Sequence, residues 1–434
     1  MTAQGISPSL DVRWFDGRTA GRVLSPGEPV FGYVEEWLAT GHSLSPLAVP
    51  FSPLLHRVRD ASFDFLPGFL SDCLPDQWGS RLMLGEFQAA GIRATPIRKL
   101  AWVGRRAIGA LSFHPSHGLG AEPGPWAAVQ PLLLAREAQA VLRKEPPEAY
   151  ANLRRGGTAG GAFPKATVAL LPDGCVLCGG DVAAAAKLNP SARLGILKID
   201  CEDDPAGPST DGRLECAYME MARAAGIRAA RCEVLREDDA LRPRHHLFIE
   251  RFDVTSGGRV HLATLAGLLE SHELTYNHLL DAVRRLTADQ AEVREAVRRM
   301  AFNVRSANAD DHGKNHSLML DASLQWKLSP AYDLTLNYTS ERTLGGLFPA
   351  TFGMHPRRFR LAEVAAEFGV NASEFAQIDT EVAAAVERWE DFAAGANLTK
   401  ADIDRAAQHH RAIAASLAAE GGAGPKRRRP RRWM

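Results

Sequence analysis

Short apolar runs broken by turn residues fill the first quarter of the chain. Residues 11–15 and 22–24 flank Asp16-Gly17, the signature of a hairpin that opens a small mixed domain. A helix is predicted over residues 79–90, and Ile108-Gly-Ala-Leu-Ser-Phe113 reads as a buried strand closing the unit. Residues 114–126, rich in Gly, Pro and His, interrupt the pattern as a linker does. From residue 156 to 253 the pattern is of strands around one helix: residues 165–171 and 174–178 flank the turn Pro172-Asp173-Gly174, and residues 194–199 and 246–251 are further strands. Between them Leu214, Ala217, Tyr218, Met221, Ala222 and Ala225 fall at helical spacing, stopped by Gly226. Beyond residue 255 helix signals dominate. Thr287-Ala-Asp-Gln290 has the form of a capping box ahead of the stripe Val293, Ala296, Val297, Met300, Ala301 and Val304, and residues 362–396 and 400–419 are predicted largely helical.

A chain of 434 residues that is 45% apolar can bury two or three compact units. No basic segment followed by an apolar run opens it, and nowhere do about 18 apolar residues run together, so neither export nor membrane insertion is expected. Six cysteines are few for this length and fit a reducing, cytoplasmic compartment. Cys175 and Cys178 form a C-x-x-C without a second pair at zinc-site spacing, and read as two cysteines near a hairpin turn. The net charge is zero, but six of the cations lie between Pro425 and Met434, and without them 45 basic residues face 51 acidic ones. The body is therefore no obvious polyanion binder, and the Gly-rich stretch from Glu420 to Pro425 leads into a basic, disordered tail.

The helix over residues 290–305 runs into Ser306-Ala-Asn-Ala-Asp310-Asp-His-Gly-Lys-Asn315-His316, a loop too polar to bury without purpose. A hairpin over residues 317–320 and 324–328 follows, then Ser329-Pro-Ala-Tyr-Asp333. Helix, Asp-x-x-x-x-Asn loop, hairpin and Asp is the order found in protein kinases. Phosphoryl transfer builds negative charge around a γ-phosphate, so hard oxygen ligands must hold Mg²⁺ against it and a carboxylate must orient the attacking hydroxyl. Asp310, Asn315 and Asp333 supply such oxygens. A solvated turn with local caps would use the same residue types. Upstream, Arg155-Gly-Gly-Thr-Ala-Gly-Gly-Ala-Phe-Pro-Lys165 concentrates glycine just before a strand, as a backbone close to phosphates requires, and it lacks the G-K-[ST] ending of a P-loop. Lys198, on a strand, is either an edge guard or a phosphate ligand. Glu215, at the start of the amphipathic helix, could pair with it, as a strand Lys and a helix Glu do in kinases.

The residues now resemble a known family, the HipA kinases of bacterial type II toxin–antitoxin systems. The resemblance rests on Phe31-Gly-Tyr33, Trp37-Leu38, Leu74-Pro-Asp-Gln-Trp-Gly-Ser-Arg-Leu82 and Gly109-Ala-Leu-Ser-Phe113, and in the core on Gly160-Gly-Ala-Phe-Pro-Lys165, Leu197-Lys198, Glu250-Arg-Phe-Asp253, Asp310-Asp-His-Gly-Lys-Asn315 and Ser329-Pro-Ala-Tyr-Asp333. It implies an ATP- and Mg²⁺-dependent protein serine/threonine kinase with Asp310 as base and Asn315 and Asp333 on Mg²⁺. Lys198 would hold the α- and β-phosphates, Glu250 and Phe252 would line the adenine pocket, and Gly160, Gly161 and Lys165 would cover the phosphates, with Glu215, His312 and Lys314 in support. Where the family often carries a self-phosphorylated serine, this chain has Thr158. The resemblance further implies a protein substrate from translation, such as an aminoacyl-tRNA synthetase, a small helix-turn-helix antitoxin, and DNA reached only through that antitoxin. Trp78 reads equally as core packing.

The chain as a whole reads as α+β. It has a small mixed N-terminal domain (10–113), a linker and connecting helix (114–150), a β-rich nucleotide-binding lobe (151–255), an all-α C-terminal catalytic lobe (256–420) and the tail (421–434). A small-molecule kinase on the same nucleotide site and a non-catalytic binding module are the alternatives; the dedicated first domain disfavours one, and the intact Lys198, Asp310, Asn315 and Asp333 the other.

Overall fold

The computed structural model describes residues 9–25, 28–116, 125–156, 161–180, 189–202, 212–256, 258–321, 323–337 and 361–421. Thr158 and Gly160, residues 117–124 of the linker and the basic tail lie outside them. The hairpin around Asp16-Gly17 forms as β1 (Ser9–Arg13) and β2 (Thr19–Leu24), with Gly17 at φ 92° in the turn, a conformation glycine adopts at little cost. With β3 (Val30–Tyr33) and β4 (Ser112–His114) they make an antiparallel sheet of order β3-β2-β1-β4. Leu10 and Val12 alternate into its core. The strand expected over residues 108–113 is shorter, since only Ser112–His114 pairs. Gly109 turns away at φ 83° and donates its N–H to the buried Asp253 carboxylate at 2.8 Å.

Four helices complete this part: α1 (Glu35–Leu38), α2 (Gly68–Ser71), α3 (Gln77–Ala89) and α4 (Pro96–Val103). One face of α3 sends Met83 and Phe87 into the core beneath the first sheet. Its other face sends Trp78 and Leu82 into a second core. That second core underlies a six-stranded antiparallel sheet, of order β5-β7-β6-β8-β10-β9. Its strands are β5 (Ala127–Ala128), β6 (Lys165–Leu170), β7 (Val176–Cys178), β8 (Arg193–Lys198), β9 (Cys232–Glu237) and β10 (Arg244–Glu250). Helices α5 (Pro131–Leu142) and α6 (Ala151–Gly156) cover one face with Leu134, Ala138 and Leu153. The predicted amphipathic helix, α7 (Gly212–Ala224), covers the other. Alternation along β10 shows both contacts: Phe248 belongs to the α5 side, and Leu247 and Ile249 to the α7 side. β9 escaped the sequence analysis because Cys-Glu-Val-Leu-Arg-Glu is a half-exposed edge strand with no clear apolar period.

In the C-terminal half two short strands, β11 (Val254–Thr255) and β12 (Gly258–Arg259), precede β13 (His261–Thr264). β13 pairs with the predicted hairpin β14 (Ser317–Leu320) and β15 (Trp326–Leu328), so the helical lobe also carries a small sheet. Around it lie α8 (Leu265–Leu269), α9 (Tyr276–Thr287), α10 (Gln290–Arg305), α11 (Leu361–Glu367), α12 (Ala372–Glu387), α13 (Trp389–Gly395) and α14 (Lys400–Gly421). The predicted capping box is corrected. Thr287 ends α9, Ala288 is left-handed at φ 51°, and Asp289 caps α10 by accepting from Ala291 N–H at 2.8 Å. The helical stretch over 362–396 is three helices, the first stopped by Gly369 at φ 80°. Among the described residues no helix is long and apolar enough to cross a membrane.

The first domain docks on the helical half through glycine. A Cβ on Gly68 of α2 would lie 2.1 Å from the Gly267 carbonyl oxygen of α8. Gly68→Val is therefore expected to cost about 1–3 kcal/mol in urea unfolding, the usual penalty of overpacking. Gly395→Ala, where a methyl meets nothing within 4 Å, is the control and should leave stability unchanged or raised. Equal stability of the Gly68 variant and the wild type would mean that the two units do not dock this way.

Candidate active site

A cavity of about 550 Å³ opens where the second sheet, the helical half and residues 72–77 of the first domain meet. Gly161, Lys165, Lys198, Glu250, Phe252, Asp310, His312, Lys314, Asn315 and Asp333 all line it. Glu215 stands just behind. Residues scattered over 173 positions of sequence are thus gathered around one space, while Thr158 and Gly160 lie outside the described residues.

Its centre is an ion cluster. Lys198, at the end of β8, donates to both carboxylate oxygens of Glu215 on α7, at 2.9 and 2.7 Å, and to Asp333 Oδ1 at 2.5 Å. The edge-guard role for Lys198 is thereby excluded, since β8 lies between β6 and β10. Burial alone would pull the Lys198 pKa down; the Asp333 and Glu215 carboxylates overcome it and hold the ammonium above the ordinary lysine value. Lys198 in turn holds Asp333 down at about 2, so this carboxylate is ionised at any physiological pH. For Glu215 burial wins over Lys198, and its pKa is raised. The antiparallel register sets Lys165 of β6 directly opposite Lys198. Burial, then the like charge of Lys198, bring Lys165 down to about 8. Gly161 stands at φ 110°, where any side chain is strained, and a Cβ there would sit 2.2 Å from Lys165 Nζ, the movable end of that side chain.

The loop after α10 is held from below by buried polar side chains. Ala307 takes a left-handed turn at φ 56°. Asn308 Nδ2 donates to Asn303 Oδ1 at 3.1 Å, Asn303 Nδ2 to Tyr276 Oη at 3.1 Å, and Tyr276 O–H to Asp311. This chain separates two adjacent aspartates: Asp311 is turned into the core, whereas Asp310 lines the cavity with its side chain 39% exposed. Burial, opposed by His312 and assisted by Asp333, raises the Asp310 pKa, which makes it a stronger proton acceptor than an ordinary aspartate. His312 Nε2 stands 3.9 Å from Asp310 Oδ1. Asn315 donates Nδ2–H to the Asp310 carbonyl at 2.8 Å, which leaves its Oδ1 as a ligand candidate. Asp333 itself is left-handed at φ 56°, a conformation that Asp tolerates better than most residues. Asn315 and the ionised Asp333 offer the hard oxygens that Mg²⁺ takes. Among the described residues no three His, Cys, Asp or Glu side chains form a metal cage.

Three features were not legible beforehand. Arg251 and Asp253 form a buried ion pair at 2.6 and 2.9 Å, and Asp253 also takes the Gly109 N–H, which ties the Glu-Arg-Phe-Asp segment to the first domain. Tyr332 O–H donates to the Lys314 carbonyl at 2.8 Å, and its ring lies 5.9 Å from that of Phe252. Asp72 and Asp76, from the first domain, also line the cavity. Burial lifts Asp72 to about 6 despite hydrogen bonds from Thr264. Asp76 stands just before a helix, where it reads as a cap, and only the fold reveals its other neighbours. Trp78 is core packing: fully buried, it donates its indole N–H to the Lys165 carbonyl at 2.9 Å.

Two Sinorhizobium fredii (strain NBRC 101917 / NGR234) proteins, named "Putative kinase Y4dM" and "Putative kinase Y4mE", are each 27% identical to this chain. The first aligns over 352 residues, 75% of this chain and 76% of its own length; the second over 340 residues, 74% and 76%. HipA of Shewanella oneidensis MR-1, solved with HipB and operator DNA, superposes over 94% of this chain and 97% of its own with a TM-score of 0.64 at 17% identity, a likeness of fold. The HipA N-terminal domain matches residues 10–114 and the HipA-like C-terminal domain matches residues 157–389. More than half of the chain is covered by the latter domain alone, and the protein belongs to the HipA-like family.

Proposed function

We propose that this protein is an ATP- and Mg²⁺-dependent protein serine/threonine kinase, the toxin partner of a small helix-turn-helix antitoxin. The observation that carries the proposal is the Lys198–Glu215–Asp333 cluster on the wall of a cavity that Asp310 and Asn315 also line. Relatives named as kinases support it, as does the fold shared with a protein solved in complex with HipB and operator DNA. The dedicated first domain favours a protein substrate, of the translation-related kind expected above, over a small molecule, and DNA would be reached only through the antitoxin.

In this proposal Lys198 and Lys165 bind the phosphates of ATP, the Gly161 backbone lies along them, and Glu250 and Phe252 line the adenine side. Asn315 and Asp333 would hold Mg²⁺, which neutralises charge on the β- and γ-phosphates. Asp310 orients the substrate hydroxyl and takes its proton as the hydroxyl oxygen bonds to the γ-phosphorus, the bond from that phosphorus to the β-phosphate oxygen breaks, and ADP departs. Thr158 is proposed as a site of self-phosphorylation.

Asp310→Asn should lower phosphoryl transfer by about 10²- to 10⁴-fold with MgATP affinity nearly unchanged, because a base acts in the transition state. The same incubation with MgATP, followed by peptide mapping, tests whether Thr158 takes phosphate. Expressed without an antitoxin, the wild type should slow bacterial growth and the Asp310 variant should not; equal inhibition by both would point to a binding module.

Lys198→Ala should weaken MgATP binding by about 10- to 100-fold in calorimetry, the worth of a charge-assisted hydrogen bond. Unchanged affinity would move the nucleotide site elsewhere.

Lys165 is cationic below its pKa and neutral above it. With that pKa at about 8, kcat/KM for MgATP should fall as pH rises through about 8. Lys165→Arg, which stays charged, should abolish that limb. A limb that persists in the arginine variant belongs to another group.

A further inference from the structure

Asp76 occupies the N-cap position of α3, where an aspartate ordinarily accepts hydrogen bonds from the first backbone N–H groups of its own helix. It makes no such cap. Its carboxylate is directed outward instead: Oδ2 accepts the Gly161 N–H at 2.9 Å, and Oδ1 accepts from Lys314 Nζ at 2.8 Å. Gly161 leads into β6 of the six-stranded sheet, and Lys314 precedes Asn315 in the loop after α10. One side chain of the first domain therefore ties together two segments of the cavity wall, one leading into the sheet and one from the loop after α10.

Neighbouring contacts reinforce the tie. Trp78 N–H donates to the Gly161 carbonyl at 3.2 Å, so both backbone groups of Gly161 are held by the segment from Asp76 to Trp78. On the other side the Lys314 carbonyl accepts from Tyr332, the residue before Asp333. Lys314 and Asp76 face each other as an ion pair. Both partners of this ion pair are about a third exposed, at 37% and 32%, so solvent screens it and its contribution to global stability is small. What it fixes is distance.

We propose that Asp76 is a positioning residue of the catalytic cleft: through its two oxygens it holds the Gly161 backbone on the phosphate side and the Lys314–Asn315 segment on the metal side at the separation that nucleotide binding requires. The first domain thereby completes the site. The proposal rests on the kinase reading for the nature of the ligand, but not for the tie itself.

The test uses the full chain with Asp76→Ala and Asp76→Asn. Alanine removes both contacts, whereas asparagine keeps an oxygen for the Gly161 N–H and gives up the charge that holds Lys314. Hydrogen exchange of the peptide carrying Gly161 is measured without nucleotide, MgATP affinity by calorimetry, and melting temperature as a check on folding. The tie predicts exchange faster by roughly tenfold or more in the alanine variant and closer to wild type in the asparagine variant. It also predicts weaker MgATP binding in both, with melting temperatures near that of the wild type. Unchanged exchange in both variants would overturn the tie. Faster exchange with undiminished MgATP affinity would overturn its role in nucleotide binding, as would a melting temperature lowered equally by both substitutions, the mark of a structural role alone. A wild type that binds no MgATP while the exchange difference remains would sink the kinase reading and leave the tie standing.

Discussion

Everything in the cleft is arranged around the ammonium of Lys198. It sits between two carboxylates, Glu215 and Asp333, that arrive from a helix and from the segment after a hairpin. Burying one cation with two anions is costly unless the geometry is good, and removing Lys198 would leave both carboxylates without their shared cation. The orientation of α7, the register of β8 and the left-handed turn at Asp333 are therefore coupled through a single atom. The same register brings Lys165 opposite Lys198, two cations side by side in a buried strand pair. Burial and that like charge lower the Lys165 pKa, while the Asp333, Glu215 and Asp76 carboxylates oppose them.

The first domain shares in this cleft. Gly68 meets Gly267 without room for a methyl group, Gly109 donates to the buried Arg251–Asp253 pair, and Asp76 bonds two segments of the cavity wall. These backbone and charge contacts add to the apolar cores that the first domain shares with the helical half and with the second sheet, so the domain is fastened at several points. A site between units can be adjusted by how those units sit, as is common for ligand sites at such junctions.

Beneath the Asp310 loop a different device operates. Asn303, Asn308, Tyr276 and Asp311 bond one another in the interior, where a lost partner is expensive, and of their side chains Asn308 Oδ1 is left without a hydrogen bond. The chain spends Asp311 on that network and leaves Asp310 to the cavity.

How much of this was legible beforehand follows from the range of the interactions. The sequence alone determined several of the elements and their order, because periodicity and turn chemistry are local: α7, α10 and the hairpin of β14 and β15 lie where the pattern puts them. It also singled out Lys198, Glu215, Asp310, Asn315 and Asp333 as candidates, through spacing and residue type. Where local signals compete, the result was less sharp. Thr287 and Asp289 both resemble caps, and it is Asp289, directly before Gln290, that caps α10 while Thr287 still belongs to α9; β9 was hidden because an edge strand needs no apolar period. What only the tertiary structure decided are the choices between neighbours and the partners distant in sequence. Asp310 and Asp311 are alike as letters and differ only in which way the fold turns them. Asp76 looks like an ordinary helix cap until Gly161 and Lys314, 85 and 238 residues away, are brought to its two oxygens. A carboxylate bonds whatever donor the fold delivers within about 3 Å, and no local pattern can state which one that will be.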